Sequence, residues 1–352
     1  MGETPFQHLS VEERRLALRR AQAEGPHPAF LFEKDIWVVA TLNTLFQAPF
    51  GRHLVFKGGT SLSKVWYAIR RFSEDIDITY DIRSFAPDLI AGGDEEALPP
   101  TRSQERRWTR AVRPRLSEWV LERARPLIEE ELARAGFVAR IRAAAEQLYI
   151  RYDPLFEVRG IVRPEVQVDF GARSTGEPRA AHTVVCDAAA WLPDLAFPEA
   201  RPAAMLPERT FWEKATAMHV YCLQGRVRGE RWSRHWHDLV RLDKVGIASR
   251  ALADRELALA VARHKAMFFR ENDSTGRKID YKAAVSGDLR LVPSGAAQDA
   301  LAADYANMLG IGMLLDEDEP FGKLMQRCAL IEERANAAHD VTKLGTLGLA
   351  SE

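Results

Sequence analysis

One stretch restricts this chain more than any other. Residues 53–56, His-Leu-Val-Phe, read as a short strand, and they run straight into Lys57-Gly58-Gly59-Thr60-Ser61. An apolar-periodic segment through Leu62, Val65, Trp66 and Ile69 then predicts a helix. A strand that enters a helix through two glycines leaves a group of backbone N–H donors exposed and aimed one way. Soon after, Asp75 to Tyr80 alternates as Asp-Ile-Asp-Ile-Thr-Tyr. Period two puts Ile76 and Ile78 on one face of a strand and Asp75, Asp77 and Thr79 on the other. The chain therefore needs a sheet with one apolar face, and it must carry carboxylates on the opposite one.

Those two features suit one kind of chemistry. The Gly-Gly turn lets a phosphate approach the backbone closely, the helix start favours negative charge, and Thr60 or Ser61 can add a hydroxyl. Lys57, Gly58, Gly59, Thr60 and Ser61 are thus candidates for binding a nucleotide. Carboxylates two residues apart on a strand project from the same side, the spacing needed to share a pair of divalent ions. Hard oxygen ligands select Mg²⁺ or Mn²⁺. A third carboxylate is expected from Arg-Pro-Glu-Val-Gln-Val-Asp-Phe, where Glu165, Gln167 and Asp169 alternate with Val166, Val168 and Phe170. Asp169 is preferred as metal ligand because apolar neighbours flank it as they flank Asp75 and Asp77; Glu165 stays open. An isolated Asp-x-Asp is more often a solvated strand face, and a lone Gly-Gly a plain turn. Their combination is what points to phosphate and metal.

The rest of the chain sets the frame. Ser10-Val11-Glu12-Glu13 reads as a capping box opening a helix that Gly25 stops. A second helix is expected over residues 30–46, with Leu31, Val38, Leu42 and Leu45 inward. Residues 84–104 read as a loop or insertion, a helix is expected over roughly 112–135, and strands near 147–152, 162–170 and 182–187. The Pro-rich stretch 193–207 is taken as a boundary. The expected fold is therefore a mixed-sheet α/β domain over 1–200 followed by a mainly α-helical domain over 201–352. No apolar run is long enough for a membrane helix, and the polar N-terminus lacks a secretory h-region. Three widely spaced cysteines offer neither a disulfide framework nor a zinc site, so a cytoplasmic setting is expected. A net charge of −1 means any nucleic-acid site must be a local patch.

The residues 56–81, FKGGTSLSKVWYAIRRFSEDIDITYD, resemble the opening motif of the AbiEii/AbiGii toxin family, within the polymerase-beta-like nucleotidyltransferase superfamily that includes the MenT-like toxins. Phe32-Glu33-Lys34-Asp35 resembles the helix the family places before its first strand. Residues 209–221, RTFWEKATAMHVY, resemble the motif that supplies a lysine, here Lys214. Residues 234–244, RHWHDLVRLDK, resemble the following Asp-Leu helix, here Asp238. Residues 304–310 and 332–336 resemble the C-terminal pattern.

The resemblance implies a toxin of a type IV toxin–antitoxin pair. It would transfer a nucleotide from a nucleoside triphosphate to an RNA 3′ end, with the tRNA acceptor stem preferred, and so block translation. It also implies an AbiEi-like antitoxin as partner. Asp75, Asp77, Asp169, Lys214 and Asp238 would form the catalytic set. A helix-borne ammonium at Lys214 can neutralise triphosphate charge; Asp238 can orient it, bind base or sugar, or serve a helix contact only. His235 and His237, two apart on a helix, do not face the same way and are expected at the surface or on nucleic acid.

Arg106, Arg107 and Arg110 flank Trp108, and Arg228, Arg231 and Arg234 flank Trp232 and Trp236. Such clusters can grip phosphates and stack on unpaired bases, although a solvated helix face with inward aromatics is the commoner outcome for each. Ser73, two residues before Asp75, is a candidate regulatory site, since a phosphate there adds charge beside the carboxylates. The competing functions are a protein nucleotidyltransferase acting on a hydroxyl side chain and a non-catalytic nucleic-acid binder. A nuclease would leave Gly58-Gly59-Thr60 without a role.

Overall fold

Ser10 Oγ accepts from Glu13 N while the Glu13 carboxylate accepts from Ser10 N at 2.8 Å, so the capping box opens α1 (Val11–Glu24) as expected. In the computed structural model, residues 4–90, 96–157, 163–226, 231–310, 314 and 319–347 are described, with backbone alone over 338–347. α2 (Ala29–Gln47) buries Phe32, Ile36, Val38, Leu42 and Leu45. Leu31, expected inward, is only half-buried; the buried stripe passes through Phe32.

β1 (Leu54–Lys57) leads into α3 (Gly58–Lys64). The helix stops there and does not continue to Ile69. Tyr67 takes a left-handed φ of 48°, and Ala68 and Ile69 are buried within a segment that groups with a different part of the chain. β2 spans Ile76–Tyr80, so Asp75 lies one residue before the strand.

α4 (Arg102–Trp119) begins ten residues earlier than the sequence suggested. A stripe of Trp108, Val112 and Leu116 buries one face, and that burial outweighs the run of arginines and the internal Pro114. One wide turn, Val120–Ala124, joins it to α5 (Arg125–Arg134). The expected loop therefore shrinks. It contains short helical turns at Ile82–Phe85 and Pro87–Ile90, and residues 91–95 lie outside those described.

Then follow β3 (Ala139–Ala144), β4 (Gln147–Tyr152), β5 (Glu165–Gly171), β6 (Arg179–Ala181) and β7 (Ala203–Met205). Seven strands form one mixed sheet in the order β3-β4-β5-β2-β1-β7-β6. β5 runs parallel to β2 and β7 parallel to β1; the other neighbours are antiparallel. Of the predicted strand at 182–187 only Val184–Val185 is a strand; β6 ends before it at Ala181, and a short helical turn, Asp187–Ala190, follows. Ile76, Ile78, Leu148, Ile150, Val166 and Val168 are all 0% exposed and form the apolar face of the sheet, against which α2 packs at β5. Each such side chain stabilises the fold by roughly 1.5–3 kcal/mol.

The chain divides into two compact units. The first comprises Met1–Val65, Ser73–Ala97 and Arg106–Met205, and the second Trp66–Phe72, Leu98–Glu105 and Leu206–Glu352. The second contains α6 (Pro207–Gln224), α7 (Arg234–Lys244), α8 (Ile247–Ala253), α9 (Arg255–Phe268), α10 (Ala296–Gly310) and α11 (Phe321–Leu347). Asp254 separates α8 from α9 and caps α9 by accepting from Leu257 N. The fold class is thus mixed α/β with a helical C-terminal region.

Candidate active site

β-sheet register builds the site in the first unit. Lys57 on β1 lies opposite Asp77 on β2, Asp77 lies beside Asp169 on β5, and Asp169 lies opposite Gln147 on β4. Four polar residues therefore form one row across four strands. Neighbouring strands are about 4.8 Å apart, so the Asp77 and Asp169 backbones are that close. Along β5 the burial alternates, with Glu165, Gln167 and Asp169 half-buried and Val166, Val168 and Phe170 buried.

Gly58 makes room for the row. Its φ is +78°, and a Cβ there would stand 2.0 Å from Asp77 Oδ2. The glycine thus serves both a left-handed backbone and the close passage of the Asp77 carboxylate. Thr60 and Ser61 are 0% exposed, so their hydroxyls are not presented outward. Ser61 Oγ donates to Gly58 O at 3.0 Å, bracing the turn. Thr60 Oγ1 donates to Asp75 O at 2.5 Å and lies 3.0 Å from Ser73 Oγ. Thr60 has one proton to give, so Ser73 is the donor of that second bond. Thr60 in this way ties α3 to the stretch carrying Ser73 and Asp75.

Gln147 Nε2 donates to one Asp169 oxygen, and Gln167 Nε2 donates to the other at 2.9 Å. Gln147 Oε1 in turn accepts from Tyr149 Oη at 2.6 Å. Sequence reading passed over Gln147 and Tyr149. Gln167 was visible two residues before Asp169, whereas Gln147 becomes adjacent only through strand pairing.

Lys34 was also passed over as a site residue. Its side chain is 2% exposed; Nζ donates to Arg163 O at 2.8 Å and lies 2.6 Å from Glu74 Oε2. It thereby holds the residue before Asp75 against the entry to β5.

The row has the hard-oxygen chemistry that a divalent ion requires. Among the described residues, no three Asp, Glu, His or Cys side chains converge on one point as a formed metal cluster. The Asp169 oxygens are turned onto two amides instead.

Lys214 and Asp238 belong to the second unit, with Arg71. Arg71 Nε and Nη2 donate to the two Asp238 oxygens at 2.7 and 2.8 Å, and Lys214 Nζ lies 2.9 Å from Oδ2. Asp238 is 0% exposed. Burial alone would raise its carboxyl, but the Arg71 and Lys214 cations hold it well below the usual carboxylate range. His237 is 5% exposed, which corrects its expected surface position; α7 packs that face inward around Asp238. Burial and neighbouring cations likewise hold the His235 imidazole well below its ordinary value.

Two tryptophans of the basic clusters turn inward too, while Trp232 is half-buried. Trp108 is 4% exposed, and Trp236 is 0% exposed with its indole N–H donated to Leu291 O at 2.7 Å. Arg106, Arg107 and Arg110 are exposed on α4. Arg231 and Arg234 are half-buried, with Arg231 N donating to Asp304 Oδ1 at 2.6 Å. Arg228 lies outside the described residues.

A mixed sheet that carries Asp-x-Asp beside a Gly-Gly turn, with a third aspartate in register on a parallel neighbour, is the framework of a nucleotidyltransferase. Residues 40–327 match the profile of the AbiEii nucleotidyl transferase toxins of type IV toxin–antitoxin systems, and the chain belongs to that family. Among solved structures, it is similar to MenT4, the nucleotidyltransferase toxin Rv2826c of Mycobacterium tuberculosis H37Rv. That likeness has 16% identity and a TM-score of 0.42, over 94% of this chain and 99% of the other. It is also similar to an H. pylori protein assigned as a nucleotidyltransferase, with 13% identity and a TM-score of 0.40 over 88% of this chain and 96% of that one. No curated protein matches the chain.

Proposed function

We propose that this enzyme transfers a nucleoside monophosphate from a nucleoside triphosphate to the 3′-terminal hydroxyl of an RNA, with tRNA as the acceptor. The observation that carries the reading is the in-register pairing of Asp77 and Asp169, with Gly58 held against the Asp77 carboxylate. The acceptor oxygen bonds to the α-phosphorus as the bond from that phosphorus to the bridging oxygen breaks. Pyrophosphate leaves, and the hydroxyl proton is released on the Asp169 side. The Gly58-Gly59 turn donates backbone N–H groups to phosphate oxygens, and Asp75, Asp77 and Asp169 would hold Mg²⁺ or Mn²⁺. The bound ions would supply charge neutralisation at the transferring phosphate. Lys214 is proposed as an ammonium for phosphate charge, supported by the resemblance of its helix motif; the buried Asp238 fixes its side chain. Arg106, Arg107 and Arg110 on α4 are proposed to contact RNA phosphates. A soluble acceptor of this kind fits a cytoplasmic enzyme restrained by an antitoxin, and among the described residues no helix is long and apolar enough to cross a membrane.

The test is incubation of the protein with Mg²⁺, each labelled triphosphate and purified tRNA, followed by separation of RNA from protein. RNA label is expected with the wild type. Asp77→Asn should lower transfer by about 10²–10³-fold or more while the fold persists, because it removes an anionic oxygen at nearly constant volume. Label on protein alone would replace the acceptor, and equal labelling by Asp77→Asn would reject the site. Ser73→Asp belongs in the same assay. Charge beside Asp75 should lower transfer, and full activity would reject a phosphate switch at Ser73.

A further inference from the structure

The polar face that carries Asp169 does not end at the aspartate. Continuing outward across the sheet, Tyr149 on β4 lies opposite Gln167 on one side and Arg142 of β3 on the other. One row further, Arg151 lies opposite Glu165 and Arg140. Period two keeps Gln147, Tyr149 and Arg151 on the same face as Asp169. Their neighbours Leu148 and Ile150 are 0% exposed on the opposite face. Arg140, Arg142 and Arg151 are exposed, and β3 is the edge strand. The Arg142 guanidinium lies over the Tyr149 ring, 4.2 Å from its centroid. Tyr149 Oη donates to Gln147, and Gln147 donates to Asp169.

We propose that this outer sheet face is the docking platform for the unpaired 3′ end of the acceptor RNA, an assignment that rests on the transfer reading above. Arg142 stacks on Tyr149 with one face and offers the other face of its guanidinium plane to an unpaired base. A base in a duplex has no free face to give, so the platform selects single-stranded ends. Arg142 and Arg151 match a polyanion, with Arg140 beside them held by the Asp153 carboxylate, whereas a protein hydroxyl acceptor brings no such charge. Two strands and two residues separate Arg142 from Asp169, roughly 12 Å between backbones by ordinary sheet spacings. Tyr149 and Gln147 are positioning residues: a base on the Arg142–Tyr149 stack steadies the hydroxyl that steadies Gln147, and Gln147 orients the Asp169 carboxylate. The platform and the carboxylate row are thereby mechanically linked.

The experiment pairs binding with turnover on the full chain. Anisotropy of a labelled single-stranded oligoribonucleotide with a free 3′ hydroxyl reads binding, and tRNA with labelled triphosphate reads kcat and KM. Arg142→Glu should weaken oligonucleotide binding about tenfold or more and flatten its salt dependence. KM for the triphosphate should not move. Arg142 is exposed, so the variant is expected to fold, and Arg142→Lys should restore charge without the stacking plane and recover only part of the affinity. Tyr149→Phe keeps the ring and loses the hydroxyl, so kcat should fall by about tenfold with KM for RNA unchanged. A merely structural tyrosine would not split the two constants. Equal oligonucleotide binding by wild type and Arg142→Glu overturns the platform, and an unchanged kcat in Tyr149→Phe overturns the link to Asp169. If the wild type binds through Arg142 but labels no RNA, the platform stands and the transfer reading falls. If it binds no RNA and labels only protein, both fall.

Discussion

At Gly58 the backbone holds a φ of +78°, and a Cβ would meet Asp77 Oδ2 at 2.0 Å and Asp77 Cγ at 2.8 Å. Two separate penalties therefore fall on a substitution there. The left-handed backbone costs about 1–2 kcal/mol for an L side chain, and the methyl group displaces the carboxylate. Gly58→Ala is expected to fold with modestly reduced stability yet lose about hundredfold in transfer, since a shift of about 1 Å in a positioned group has that effect. Side-by-side thermal melts and transfer rates check this. A variant that loses stability but keeps its rate would show that the passage beside Gly58 does not position Asp77. Thr60 acts at the same scale, because its single proton secures the Asp75 carbonyl and leaves Ser73 to donate.

Among the elements, α2 carries Glu33, Lys34 and Asp35 on successive residues, all buried. Helical geometry turns successive side chains by about 100°, so the three reach different neighbours. Glu33 accepts from Leu155 N at 2.8 Å, and Lys34 meets Glu74 and Arg163 O. Asp35 Oδ1 lies 2.7 Å from Lys64 Nζ, at the end of α3, and its other oxygen accepts from Asp187 N at 2.6 Å. One helix thus anchors the strands and the turn that carry the carboxylates. In the second unit, α7 depends on Asp238 in a comparable way. Asp238→Asn would leave Arg71 and Lys214 without their counter-charge, at a cost of about 3–5 kcal/mol. A carboxyl held low in the folded state stabilises at neutral pH, and that stability is lost as pH falls below about 4 toward the folded value. The urea midpoint of Asp238→Asn should therefore lie well below that of the wild type at pH 7, with the gap closing below about pH 4. Equal midpoints at pH 7 would remove the ion cluster from the account of this unit.

For the molecule taken whole, the buried acids of α2 set an opposite pH trend in a different window. Burial pushes the Glu33 carboxyl up to about 7, against the hydrogen bond from Leu155 and the pull of Arg14. Burial also raises Asp35, to about 6, despite Lys64. An acid raised in the folded state contributes stability below its unfolded value, and the contribution is lost as pH rises through the folded one. Stability should therefore decline between about pH 4.5 and pH 7. Glu33→Gln keeps an acceptor for Leu155 N without the charge. Its melting temperature should exceed that of the wild type at pH 8, by an amount on the order of 1–3 kcal/mol in stability, and the advantage should vanish near pH 4. Parallel pH profiles for the two proteins would show that Glu33 does not titrate in this range.

Local patterns were enough for the capping box at Ser10, the apolar faces of β2 and β5, the Gly-Gly turn and the placing of Asp169 on the polar face of β5, because each depends on a few neighbouring residues. Patterns could not set the end of α3 or the start of α4. Ala68, Ile69, Trp108 and Val112 are all buried, and burial depends on tertiary packing that a local pattern does not carry. The same holds for the inward turn of His237 and Trp236, where burial overrides a polar-looking helix. Strand register accounts for the largest difference. Alternation tells which face a residue occupies but not which residue stands beside it. Asp77 beside Asp169, Gln147 opposite Asp169 and Arg142 over Tyr149 are therefore decisions of the tertiary structure. The sequence by itself determined the chemical types and their faces; pairing across the sheet decided which of them share a site.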